Sequence, residues 1–140
     1  MKYKKVNAGY FIKLEKGEEI IQGLTQFCED NNIRSGSISG VGGTDNVAIK
    51  YYDLEKGEYL PKRFSGQSYE IVSLNGNISL VEDKPFVHLH IMLGDSDYRT
   101  FGGHLGSAVV DITCEIAINM SDSVINRKFN NEFKVNFWDF

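Results

Sequence analysis

Apolar positions repeat with two different periods along this chain. In "YFIKL" (Tyr10–Leu14) they alternate, which predicts a short strand. From Gly17 the period changes. Ile20, Ile21, Leu24, Phe27 and Cys28 fall at i, i+1, i+4, i+7 and i+8, so an amphipathic helix should present them as one face. Glu18 and Glu19 are expected in its first turn, where the helix dipole favours carboxylates, and Asn31 and Asn32 are expected to end it.

Beyond that helix the pattern is β throughout. "SGSISGVGG" predicts a strand end running into a glycine-rich turn. "NVAIKYYD" and "EYLPKRF" flank "LEKG" as a hairpin, with Pro61 marking an edge or a bulge. "SYEIVSLNGNISLVE" predicts a second hairpin turning at Asn75-Gly76. "PFVHLHIML" and "AVVDITCEIAIN" are further strands, and the aromatic tail "VINRKFNNEFKVNFWDF" should end in one. At 140 residues, with no linker or repeat, the chain reads as a single α+β domain (1–140). Its sheet should be mostly antiparallel, beside one main N-terminal helix.

The chain has three histidines, and all lie in "FVHLHIMLGDSDYRTFGGHL". Strand alternation turns Val87, Leu89, Ile91 and Leu93 to the core and His88, His90 and Met92 to the opposite face. "GDSDYR" reads as a turn that returns "TFGGHL" as the partner strand. With the turn centred near Ser96, His104 falls opposite His88, close enough for three neutral nitrogens to share one ion. Gly102 and Gly103 leave room for a bulge and for water or a ligand beside the metal. Three imidazoles without a cysteine favour zinc, or another divalent transition metal such as nickel, iron or copper. Three ligands on a tetrahedral ion leave one position open, the catalytic pattern.

Charge narrows the partners. A formal net charge of −4, with only "KYKK" as a basic cluster, argues against direct binding of duplex DNA. No apolar run is long enough to span a membrane, and the N-terminus lacks the pattern of a signal peptide. Cys28 and Cys114 lie in apolar segments and read as buried, reduced thiols of a cytoplasmic protein, with a disulfide between them as the lesser alternative. Glu115 interrupts the apolar strand "TCEIAI". It is a candidate general base or a hydrogen-bond partner for an imidazole, against the plainer reading of an outward-facing carboxylate. Arg63 and Arg99 are candidate anion binders, with surface solvation the plainer reading for both. "SGVGG" lacks the lysine and the helix of a phosphate-binding loop.

Several pieces, in order, resemble the PPC domain (plant and prokaryote conserved domain) over nearly the whole length. They are "LEKGEEIIQGLTQFCEDNNIRSGSISGVGG", "YEIVSLNGNISL", "HLHIMLGDSDYRTFGGHL", "TCEIAI" and "NRKF". The resemblance implies a compact α+β fold assembled as a homotrimer, with His88, His90 and His104 as ligands of a metal usually taken as zinc. Plant members carry an AT-hook that contacts DNA. This chain has no Arg-Gly-Arg core, so it resembles the stand-alone prokaryotic form. The architecture is also similar to that of alpha-acetolactate decarboxylase, and a metal-dependent lyase or hydrolase activity is implied only by that analogy. Three roles follow as expectations: a metal site that binds or transforms a small oxygen-bearing molecule, a DNA-associated regulatory module working through partners, and a structural trimerisation domain.

Overall fold

The computed structural model describes residues 1–140. The apolar repeat after Gly17 forms the single helix, α1 (Ile20–Asp30), which buries Ile20, Leu24, Phe27 and Cys28. Glu19 is its N-cap and not a first-turn residue. Its carboxylate accepts from the Gln22 N–H at 2.6 Å and from the Ala108 N–H at 2.8 Å, tying the helix start to the sheet. Glu18 lies outside the helix and binds the N-terminal amine and the Glu15 N–H. Asn31 caps the other end, and Asn32 takes the left-handed conformation (φ 51°) that turns the chain away.

Eight strands follow the β pattern: β1 (Lys2–Val6), β2 (Gly9–Glu15), β3 (Gly36–Asp53), β4 (Glu58–Val81), β5 (Lys84–Gly94), β6 (Thr100–Met120), β7 (Arg127–Asn130) and β8 (Val135–Trp138). All strand pairings are antiparallel. The main sheet runs β1-β2-β6-β3-β4-β5, and a further pairing of β5 with β6 closes the last four strands into a ring. The first part of β6 pairs with β5 and its last part with β2, while β3 lies along its other side. A cluster of 25 buried residues fills the space between helix and sheet. β7 and β8 form a separate hairpin beside β4.

Two expected turns are absent, for one reason. Asn75-Gly76 lies inside β4, with Asn75 opposite His90 and Gly76 opposite Leu89. A Cβ on Gly76 would collide with the His88 carbonyl oxygen, so this glycine permits close approach of strands and does not reverse the chain. "SGVGG" is likewise interior to β3. Register shifts between Gly40 and Gly42 and on either side of Thr44 bend the strand there without ending it. The hairpin around "LEKG" forms as expected, pairing Asp53 with Glu58. Pro61 lies where β4 pairs with β3 alone, an edge that tolerates a missing N–H.

Candidate metal centre

β5 carries out the alternation read from its sequence. Val87, Leu89, Ile91 and Leu93 are buried, while His88 is half-buried and His90 and Met92 are exposed on the other face. The turn back to β6 spans Asp95–Arg99. Asp95 shapes it: its carboxylate accepts from the N–H groups of Asp97 and Arg99, and its own N–H donates to the Arg99 carbonyl at 3.0 Å. This five-residue loop moves the turn centre to Asp97, one residue later than expected. His104 therefore pairs with His90, not with His88. A one-residue shift of the centre slips the pairing by two, so His104 stays on the histidine face.

The three rings converge. Centroids lie 5.4 Å apart for His88–His90, 5.1 Å for His88–His104 and 5.5 Å for His90–His104. One nitrogen from each falls within 4.8 Å of the others. A tetrahedral zinc would draw such nitrogens to about 3.3 Å, a small adjustment of side chains already on one face. His104 Nδ1 is buried and has no hydrogen-bond partner, an orphaned polar atom that coordination would satisfy. Burial, reinforced by neighbouring cations, pushes His88 and His104 down to about 4, so both rings are neutral near pH 7 and able to ligate. The donor set fits a transition metal.

The surroundings of the cluster are aromatic and cationic. Tyr59 on β4 packs its ring 4.8 Å from that of His104, and Lys50 on β3 is the cross-strand partner of His104. Arg127 on β7 reaches His88: its Nη2 lies 3.2 Å from His88 Nδ1. The guanidinium also donates to Ser79 Oγ (2.7 Å), Asn77 Oδ1 (2.9 Å) and the Asn136 carbonyl (2.9 Å), and it stacks over Phe86. The sequence singles out Arg63 and Arg99 and passes over Arg127. Arg63 is exposed and donates to Asn46, and Arg99 closes the turn against Asp95 and Asp97, so neither reaches the histidines. The available signal for Arg127 was its place in "NRKF", the last of the pieces that carry the family resemblance.

Glu115 is not part of the cluster. It is exposed on β6, beside Lys13 of β2 and Val41 of β3, and it lines an open groove with Lys2, Tyr3 and Phe11. Cys28 and Cys114 are free and buried, and burial pushes both thiols up to about 12, which leaves them unreactive.

A closed ring of antiparallel strands with three convergent imidazoles on its outer face places the chain among small β-rich domains with a candidate metal site. The profile of the Plants and Prokaryotes Conserved (PCC) domain matches residues 1–121, and the chain belongs to that family, the PPC domain of the sequence resemblance. Three solved structures are similar over nearly their whole length. One, from Bacteroides thetaiotaomicron and described as "a putative dna binding protein", is 33% identical with a TM-score of 0.95, covering 99% of this chain and 96% of that one. A PPC protein from Pyrococcus horikoshii is 33% identical with a TM-score of 0.88, covering 99% and 95%. A metal-containing protein from Archaeoglobus fulgidus is 32% identical with a TM-score of 0.86, covering 100% of both chains. Among curated proteins, the bifunctional protein GlmU of Synechococcus sp. (strain JA-3-3Ab) is 31% identical over 111 residues, and the chain spans 16% of its length. Acetolactate decarboxylase from Bacillus subtilis subspecies spizizenii shares the fold alone, at 14% identity and a TM-score of 0.59 over 91% of this chain and 59% of that one.

Proposed function

We propose that this chain is a metal-binding PPC-domain protein in which His88, His90 and His104 hold one zinc ion with a coordination position open to a small oxygen-bearing ligand. The observation that carries this reading is the convergence of the only three imidazoles onto one face, with one of them orphaned in a buried setting. The likeness to a metal-containing protein of the same fold supports it. When bound, the ion would supply Lewis acidity and a water of lowered pKa. His88, His90 and His104 would orient it, and Tyr59 would shield one side. Glu115 has no contact with the histidines in one chain. Its role as a base belongs to this proposal only in an assembly that returns it to the site, the homotrimer the resemblance implies. Elemental analysis of chelator-free protein tests the reading: close to one metal per chain is expected, and none after zinc loading at neutral pH overturns it.

A second reading, a DNA-associated module of the cytoplasm acting through partner proteins, draws on the Bacteroides likeness. The net charge of −4 weighs against contact with naked duplex. Sub-micromolar binding at about 150 mM salt, falling steeply as salt rises, would reverse that ranking.

A further inference from the structure

Arg127 has an unusual set of partners for an arginine more than half-buried against aromatic rings. None of the ion pairs in the structure includes it, and none includes Lys50. Its guanidinium is anchored at three neutral oxygens, Ser79 Oγ, Asn77 Oδ1 and the Asn136 carbonyl, and its remaining contact is an imidazole nitrogen. Guanidinium can only donate. His88 Nδ1 must therefore accept, which puts the ring proton on Nε2 and commits the single lone pair of the imidazole to Arg127. That arrangement cannot coexist with coordination by His88. An ion either takes the Nδ1 lone pair directly, or it takes Nε2 and obliges the proton to move to Nδ1, which then meets the arginine donor to donor. In both cases Arg127 loses His88 as an acceptor.

The three oxygen anchors do not depend on the histidine, so the guanidinium stays where it is with an N–H released next to the ion. Lys50 is the cross-strand neighbour of His104, and its side-chain stem lies over Gly106 of the same strand. Within one chain no carboxylate hydrogen-bonds to any of the three rings or to Arg127, and none forms an ion pair with Arg127 or Lys50. From this we infer that Arg127 exchanges partners when the site is loaded, giving up His88 and donating instead to a small oxyanion, a carboxylate or a phosphate, held at the open position. The planar fork of arginine suits either group, since both offer paired oxygens, and the burial of Arg127 makes such a bond stronger than one in open water. This inference rests on the proposed metal site and specifies its ligand class.

Cobalt(II) in place of zinc makes the test spectroscopic. The cobalt-loaded protein is titrated with acetate, with inorganic phosphate and with acetamide, a neutral molecule of the size and shape of acetate, while the visible absorption is followed. Acetate, phosphate or both should shift the spectrum saturably, and acetamide should not; whichever anion binds more tightly identifies the source of the oxyanion. In Arg127→Gln the anion affinity should fall by about 10-fold or more with cobalt content unchanged, and Arg127→Lys should fall between the two. Equal responses to acetate and acetamide in the unaltered protein overturn the inference without need of a variant, as does unchanged anion affinity in cobalt-loaded Arg127→Gln. If the unaltered protein takes up no cobalt at all, the metal site itself is refuted and this inference falls with it.

Discussion

The two faces of the β5–β6 hairpin share a backbone and do different work. Inward, Leu89, Leu93 and Leu105 are almost fully buried and belong to the core. Outward, one residue removed along the same strands, His88, His90 and His104 hold no core position. Alternation thus lets one hairpin serve stability and chemistry through separate residues. A core change should lower stability without erasing the site in chains that remain folded, and a site change should erase metal binding without unfolding the domain.

The hardest blow to the inner face is Leu93→Ala. Truncating this fully buried side chain should cost about 2–5 kcal/mol, read as a lowered denaturation midpoint. Metal per folded chain should stay near its original value, and its loss would show that the two faces are not separable. On the outer face, His104→Ala should weaken metal affinity by more than about 100-fold, since a lost ligand costs more than a lost outer hydrogen bond. Calorimetric or competitive-chelator titration measures this. The unfolding midpoint of the metal-free variant should stay near that of the metal-free parent, and full metal occupancy in His104→Ala would refute the three-histidine set.

Acid sharpens the comparison further. In the metal-free protein His88 and His104 are held down to about 4, against about 6.5 in the unfolded chain. Between those values the unfolded chain binds more protons, so stability rises with pH and is lost as pH falls. The contribution of these two rings is complete above about pH 6.5, declines as pH drops toward about 4 and is constant below. Urea midpoints at pH 7, 5.5 and 4, measured with chelator, should show a steeper loss in the parent than in a His88→Gln/His104→Gln variant; identical slopes would exclude this linkage. The smallest effect is expected at the turn. Arg99 is exposed despite its two aspartate partners, and Arg99→Ala should cost about 0.2–1 kcal/mol and leave metal content unchanged.

What could be read from the sequence follows from how local each signal is. The helix and β5 each carry their period in their own residues, so the buried face of α1 and the facing of His88 and His90 were both legible. The convergence of His104 was legible too, although its partner was displaced from His88 to His90. That error came from the turn, which Asp95 closes around Asp97 and not around Ser96 as expected. Asn75-Gly76 and "SGVGG" misled because glycine has two uses. A reversal and a tight interstrand approach leave the same letter, and only the neighbouring strand distinguishes them. Arg127 could not be foreseen. Its contact with His88 comes from a hairpin that starts more than thirty residues later in the chain, and nothing local in "NRKF" names that target.

The division of β6 between two neighbours also sets a timetable for the growing chain. Gly9 pairs with Asn119 and Glu15 with Thr113, so β2, the strand that leads into α1, has no partner in the main sheet other than β1 until the far end of β6 has been synthesised. During translation the first thirty residues can form at most a helix and an isolated two-stranded ribbon, and such a ribbon alone is marginal in water. Closure of so long a loop is entropically slow, which places folding in the milliseconds-to-seconds range of strand-rich proteins. A ribosome stalled before residue 113 should therefore present an N-terminus open to proteases, and release of the last strand should protect it.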